Sequence, residues 1–316
     1  MEKRNQASAC LLNPRRMPKT LLAGWLILLA LLPLASQANS LLFCEQPGQQ
    51  TVERKGTLLL LAQTVKNLLE QSGHQAAIVS RSGLDLERFQ VRFTHAGISL
   101  RNSPNTPWSV RQLYYACEEG QPHLYDQGLP GFLIDQRQDN TVRLSIVLLP
   151  PAAEARMVRA AQDNKLALAL LAPDYSANAY AYSTRYQNCN QWLVELLAHA
   201  WGELPDSPDP RAQAQDWLRQ QHYQPATVDV HYRFMVWAAH FIPLLHHDDQ
   251  PAAELALNHY QLSLPSSIEA FVQQQFPDSQ RIQLCLRQDK LLIHHGWDEM
   301  SSDCKPAAND QLQQLD

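Results

Sequence analysis

The chain of 316 residues is poor in glycine, with 11 glycines against 20 prolines. So few glycines exclude a collagen-like or glycine-linker protein. The sequence also lacks an excess of positive charge, because its formal net charge is −5. Proteins that bind nucleic acid usually carry a basic surface, so a nucleic-acid partner is not expected.

Several motifs that mark cofactor, metal or serine-hydrolase sites are also missing. The chain contains no GxGxxG, no phosphate-binding P-loop, no GxSxG, no HExxH and no CxxC. No cofactor and no metal ion are therefore predicted. The paired histidines at 246–247 and 294–295 do not change this interpretation, because neighbouring side chains on one element point in different directions.

One long apolar run is present, at residues 21–34, directly after a basic stretch. It is shorter than the roughly 20 residues that a membrane span requires. It is followed by the sequence ASQA, which puts small residues at the −3 and −1 positions of a cleavage site. This pattern predicts a secretory signal peptide over residues 1–38, cleaved after Ala38, and a periplasmic or secreted protein. An uncleaved anchor is the alternative.

The charge of the remaining chain limits its partners. Residues 1–38 hold five basic side chains and one acidic one, so the rest has 21 basic and 30 acidic side chains, a net charge of −9. An acidic protein is poorly suited to an anionic lipid surface or to nucleic acid. Because the chain is predicted to be exported, we expect an envelope peptide, lipid or protein as partner. No later stretch reaches 18 apolar residues, so no membrane span is expected in the mature chain.

Five cysteines follow the predicted leader, and an exported chain meets an oxidising compartment in which thiols pair. An odd number leaves one thiol outside any pair. Cys285 and Cys304 flank a compact C-terminal segment and are predicted to form one disulfide. Cys44 and Cys117 are the expected second pair, which leaves Cys189 as the remaining thiol.

Hydrophobic patterns predict an α+β protein. Strands are expected over residues 75–81, 91–101, 108–117, 141–149 and 259–264, and a hairpin over 281–296. Helices are expected over residues 57–72, 152–171, 189–201, 211–222, 231–245 and 266–275. A proline-rich acidic stretch at 203–211 marks a boundary. The predicted parts are a core domain over 39–204, a C-terminal extension over 205–304 packed on that core, and a flexible polar tail over 305–316.

One helix start has the features of a nucleophile site. Asn188 is a good helix N-cap, which puts Cys189 in the first turn, on the apolar face shared with Trp192 and Leu196. The positive end of the helix dipole lowers the pKa of a thiol there. The backbone N–H groups of the first turn can bind an oxyanion.

A thiol nucleophile also needs a base and a group that orients the base. His95, on a predicted strand, is the candidate base. Gln112, on the next strand, is the first choice for the orienting group. Tyr114 lies on the same face of that strand and is the second choice. The alternative interpretation is an ordinary core cysteine and a structural histidine.

Three segments carry a resemblance to known proteins: FTHAGI around His95, YDQGLPGF at 125–132 and YQNCNQW around Cys189. A strand histidine followed much later by Asn-Cys at a helix start resembles the circularly permuted branch of the papain-like, NlpC-type hydrolase superfamily. That branch includes lecithin:retinol acyltransferase-like proteins, and the resemblance covers about residues 76–201. The whole mature chain also resembles a family of exported bacterial proteins known only as a domain of unknown function.

The papain-like resemblance implies a core made of a small antiparallel sheet packed on helices, with a C-terminal α/β extension. It also implies a thiol hydrolase or acyltransferase that acts on amide or ester bonds of an envelope substrate. Cys189 would be the nucleophile, His95 the base and Gln112 the orienting residue. The alternative is a non-catalytic envelope protein that uses the same scaffold to bind a partner.

Overall fold

The computed structural model describes residues 51–83, 86–134, 141–231 and 233–315. The predicted signal peptide, its cleavage site and Cys44 lie outside these residues. Among the described residues, none of the helices combines the length and the apolar character needed to cross a membrane.

The secondary structure follows the sequence patterns over most of the described chain. The strands are β1 (Ala76–Arg81), β2 (His95–Leu100), β3 (Ser109–Ala116), β4 (Gln121–Gln127), β5 (Thr141–Leu148), β6 (Ala226–Asp229), β7 (His259–Leu262), β8 (Gln280–Arg287), β9 (Lys290–His295) and β10 (Gln311–Gln314). The helices are α1 (Val52–Gln71), α2 (Leu129–Ile134), α3 (Pro151–Gln162), α4 (Asn164–Ala169), α5 (Cys189–Gly202), α6 (Pro210–Gln220), α7 (Arg233–Ala239), α8 (Ala252–Ala256) and α9 (Pro265–Gln275).

Eight of these strands form one antiparallel sheet in the order β10-β9-β8-β5-β1-β2-β3-β4. Strands β6 and β7 pair separately. The sheet is larger than the small sheet expected, because β8, β9 and β10 extend it from β5. The mixed α+β class is confirmed, whereas the papain-like arrangement and the domain boundaries stay predictions.

Helices cover both faces of the sheet. Ala76 and Ile78 of β1 pack into the core that contains α3, α5 and α9. Ala77 and Val79, which point the other way, pack into the core that contains α1 and α2. All six residues of β1 are buried, as expected for a strand with an apolar layer on each side.

The C-terminal segment is tied to the sheet by a covalent bond and by a strand. The predicted disulfide between Cys285 and Cys304 is confirmed, with a Cα–Cα distance of 6.1 Å. The polar segment expected to be a flexible tail contributes β10, which pairs with β9, and Leu315 is buried. Cys117 is also disulfide-bonded, and its pairing with Cys44 stays a prediction because Cys44 lies outside the described residues.

A buried ion pair joins α5 to α6. The fully buried carboxylate of Glu195 accepts from Arg211 Nε at 2.9 Å and from Arg211 Nη2 at 3.1 Å. It also accepts from the side-chain amides of Gln187 and Gln215, each at 2.7 Å. Arg211 donates in addition to three carbonyl groups of residues 183–186. Burial raises the pKa of Glu195 above its usual value, against the opposing effect of the guanidinium.

Replacing Arg211 with methionine tests this pair. Removal of one partner from a buried ion pair costs about 3–5 kcal/mol, because the other charge stays buried without compensation. We expect Arg211→Met to lower the free energy of unfolding in urea by this amount at pH 8. The loss should be smallest at acid pH and should grow as the pH rises through the raised pKa of Glu195, because the unpaired carboxylate then becomes charged.

The matched control is Arg219→Met on the same helix, because Arg219 is exposed where it pairs with Asp216 and contacts the carbonyl and the ring of Tyr182. Such an exposed pair contributes less than about 1 kcal/mol. Equal effects of the two substitutions would contradict the structural role of the buried pair.

Candidate functional site

The start of α5 is fixed by a side-chain cap. Asn188 Oδ1 accepts a hydrogen bond from the backbone N–H of Gln191 at 2.7 Å, which confirms the predicted N-cap. Gln187, one residue earlier, is held by Glu195. Cys189 therefore begins a helix whose position is set by the buried ion pair. Its sulfur is a thiol, and the residue is 8% exposed.

A hydrogen-bonded chain of side chains connects three adjacent strands. His95 Nε2 donates to Gln112 Oε1, and Gln112 Nε2 donates to Gln127 Oε1 at 2.6 Å. An amide oxygen can only accept, so the proton of the neutral imidazole is on Nε2 and Nδ1 is the basic nitrogen. The contact expected between His95 and Gln112 is present, and the catalytic roles of both residues stay predictions.

Two of the residues around His95 were not found by sequence reasoning. Gln127, at the end of β4, lies diagonally across from Gln112 on β3. The ring of Phe132, in α2, lies 6.0 Å from the imidazole of His95, measured between ring centroids. Both belong to the YDQGLPGF segment. Gln112 and Gln127 lie on the same face of the hairpin formed by β3 and β4. Pairing these two strands in the sequence analysis would therefore have identified Gln127.

Tyr114, the second choice for the orienting residue, takes another position. Its ring packs edge-on against Tyr125 at 5.6 Å between centroids. Gln112 is therefore the better candidate, because it contacts the imidazole directly.

Gly97 lets β3 come close to β2 beside the hydrogen-bonded side chains of His95 and Gln112. A Cβ atom at Gly97 would lie 2.6 Å from Val110 Cγ1, 2.7 Å from the backbone oxygen of Arg111 and 3.1 Å from Gln112 Cβ. Gly97 is two residues after His95, so it lies on the same face of β2. The missing side chain therefore lets Gln112 approach the strand that carries His95.

Direct contacts connect the residues beside Cys189 and His95. Asn190 Nδ2 donates to the carbonyl of Thr94 at 3.0 Å. The Thr94 N–H donates at 3.0 Å to the carbonyl of Arg81, the residue that opposes His95 in the register of β1 and β2. This hydrogen bond holds Thr94 beside the residue that pairs with His95. Helix α5 itself packs on β2 and β3.

The two candidate residues belong to different layers. Cys189 packs in the core cluster of α5, together with Ala96 and Ile98 of β2. His95 contacts Phe132, which belongs to the core cluster on the other face of the sheet. The helix start and the strand start therefore meet at one end of the sheet, with the side chain of His95 on the α2 side.

An apolar cavity of about 280 Å³ adjoins the helix start. Cys189, Asn190 and Thr94 line it together with the segment before β2, the strands β6 and β7, and α7. Its apolar wall includes Phe89, Val91, Val228, Val236 and Leu262. Sequence reasoning did not predict this cavity, because its walls come from segments far apart in the chain.

Comparison with known proteins identifies a family. Residues 68–272 match the family model DUF2145, described as an uncharacterised protein conserved in bacteria. The matched range contains His95, Gln112 and Cys189. Neither the curated proteins nor the solved structures contain a match to this chain.

The close approach at Gly97 is testable by Gly97→Ala. The added methyl group would overlap Val110 and the backbone of Arg111, and such overpacking costs about 1–3 kcal/mol. We expect urea unfolding to show this loss and the NMR signals of the His95 ring to shift, because Gln112 is displaced.

Gly56→Ala is the matched control. Gly56 lies inside α1, and a Cβ atom there would meet nothing within 4 Å. Alanine in a helix interior is favoured over glycine by about 0.5–1 kcal/mol, so this variant should gain stability. An unchanged stability of Gly97→Ala would show that β2 and β3 tolerate a side chain at this point.

Proposed function

The chain belongs to the bacterial family DUF2145, and we propose that it is an exported thiol enzyme that transfers an acyl group from an amide or an ester of an envelope substrate. Cys189 is the nucleophile, His95 is the base, and Gln112 holds the imidazole in the required orientation. The acceptor is water in a hydrolase, or an amine or alcohol in an acyltransferase.

The reaction proceeds in two acyl-transfer steps. Cys189 Sγ bonds to the carbonyl carbon while its proton passes to His95 Nδ1, and the Cys189 N–H at the helix start stabilises the negative oxygen. The C–N or C–O bond then breaks, and the imidazolium returns the proton to the leaving amine or alcohol. The acceptor attacks the thioester, His95 takes up the acceptor's proton, and the thiolate leaves and is reprotonated from the imidazolium.

The hydrogen bond between His95 Nε2 and Gln112 Oε1 carries this proposal. It leaves Nδ1 as the basic nitrogen, which a proton-accepting imidazole needs. The contact between Asn190 and Thr94 supports it further, because it joins the neighbours of the nucleophile and the base. The position of Cys189 in the first turn of a capped helix supplies the remaining requirement, since thiolates are stabilised there.

A binding function without catalysis is the second candidate. The observation in its favour is that His95 contacts the α2 layer, whereas Cys189 packs with the α5 layer and lines an apolar cavity. In that case the cavity holds a ligand and the cysteine is part of its wall. The reactivity of Cys189 distinguishes the two functions.

We predict that His95 controls the reactivity of Cys189. Alkylation of Cys189 by iodoacetamide at pH 7 should be faster than that of an ordinary thiol, of which only a few per cent is thiolate. His95→Ala should slow the reaction at least about tenfold, because the thiolate loses its cationic partner, and Gln112→Leu should slow it because the imidazole is no longer held. Mass spectrometry of the Cys189 peptide gives the rate.

His123→Ala is the matched control, since His123 lies on β4 with Glu119 as its partner near the surface. It should leave the rate unchanged. An ordinary alkylation rate that neither His95→Ala nor Gln112→Leu alters would reject the enzyme and favour the binding protein.

We also propose that the protein is exported through the signal peptide of residues 1–38. The disulfide between Cys285 and Cys304 supports an oxidising compartment. Expression of the full chain in a bacterium should yield a periplasmic or secreted product whose N-terminal sequence starts at Asn39. Recovery of the chain from the cytosol with residues 1–38 still attached would contradict the proposal.

A further inference from the structure

The size of the cavity beside Cys189 limits the ligands that fit it. An apolar cavity of about 150 Å³ holds one benzene ring. At about 280 Å³ this cavity is nearly twice as large. It is therefore too large for a single aromatic side chain, and a longer apolar group is needed to fill it.

The walls offer few polar groups to a ligand. Asn178 and Asn188 line the cavity, but both amides are used within the protein. Burial lowers the pKa of His247, which disfavours a charged ring in this wall. Arg88 is exposed and its guanidinium lies 4.7 Å from the ring centroid of Phe89. A peptide backbone would lose its hydrogen bonds in such a cavity, whereas a hydrocarbon chain needs none.

Two residues of this wall, Asn190 and His247, each have a buried side-chain atom without a hydrogen-bond partner within the described residues, and these atoms are Asn190 Oδ1 and His247 Nε2. Asn190, which is 2% exposed, uses Nδ2 to bind the Thr94 carbonyl, and this bond orients the amide. Within the described residues, Oδ1 of Asn190 has no hydrogen-bond partner. An amide oxygen can only accept, so its missing partner is a donor such as an amide N–H. The oxygen of an ester linkage has no hydrogen to donate.

From these two observations we propose that the substrate is an N-acyl amide whose long apolar acyl chain occupies the cavity, with the amide N–H donated to Asn190 Oδ1. This inference rests on the proposed function and names its substrate class. The bond formed is that between Cys189 Sγ and the acyl carbon, and the bond broken is the C–N bond, so that the amine leaves with one proton. Water then releases a long-chain carboxylic acid and restores the thiol.

The first experiment measures binding without turnover. The mature chain with Cys189→Ala is titrated with N-acylglycines of increasing chain length, and binding is followed by displacement of N-phenyl-1-naphthylamine fluorescence. Each methylene that enters the cavity should tighten binding about fourfold until the cavity is full. An affinity that does not depend on chain length would overturn the proposal.

Two adjacent positions on β6 give a matched pair of variants. Val228 lines the cavity, whereas the side chain of Thr227 points to the opposite side and is exposed. Val228→Trp should abolish the dependence on chain length, and Thr227→Trp should keep it. Val230→Phe, at the next cavity-lining position, provides the same test with a smaller side chain should tryptophan prevent folding. Retained chain-length dependence in folded Val228→Trp or Val230→Phe would show that the chain binds elsewhere.

A second experiment addresses the amide. In the chain with Cys189 intact, thioester formation from an N-acyl amide is compared with that from an ester of the same acyl chain. Asn190→Leu should reduce the preference for the amide about fivefold, which is the effect of one lost hydrogen bond. An unchanged preference would remove the role of Asn190.

The two proposals fail in different ways. Binding that depends on chain length, together with a thiol that forms no thioester, overturns the enzyme and leaves a protein that binds acyl chains. A thiol that is reactive under the control of His95, together with no binding of acyl chains, overturns the substrate class and leaves the enzyme.

Discussion

The buried ion pair between Glu195 and Arg211 determines where the candidate nucleophile lies. Glu195 is in the middle of α5, a helix buried on all sides, where a bare carboxylate would be very costly. Four donors from two glutamines and one arginine offset that cost. Arg211 also donates to the backbone carbonyl of Tyr186, just before the helix. Arg211 and Gln215 both donate to the carbonyl of Ser183. The segment that leads into Asn188 and Cys189 is therefore held by an interaction located two turns further along α5.

The described part of the protein places a network of polar side chains next to the apolar cavity. This network is the chain of hydrogen bonds from His95 through Gln112 to Gln127, supported by the paired Arg111 and Asp126 on the same two strands. The apolar cavity is lined by segments that pack across the start of α5, and α7 forms part of its wall. Beside this wall, Phe234, Trp237 and Phe241 are exposed to solvent. The helix start that carries Cys189 lies where the network and the cavity meet.

Local signals in the sequence predicted the elements, and the cap at Asn188 is the clearest case, since an N-cap and an apolar face are both properties of adjacent residues. The position of His95 and Gln112 on one face of the sheet could likewise be predicted from the alternation of residues along two strands. Other features depend on partners that are distant in the chain. The predicted helix over 152–171 divides at Asp163, whose side chain caps a new helix. Strand β4 contains a proline and little alternation, and β10 is polar, so both form because a neighbouring strand offers backbone partners.

The two hydrogen bonds that connect His95, Gln112 and Gln127 run in one direction. His95 gives a proton to the oxygen of Gln112, and Gln112 gives one to the oxygen of Gln127. A neutral imidazole that carried its proton on Nδ1 would need the Gln112 amide to rotate by half a turn, and Gln127 would then face an oxygen with its own oxygen unless it rotated as well. Two packed amides would have to turn together for a single proton to change place. Two glutamine amides, which carry no charge, thus favour one tautomer of the neutral ring.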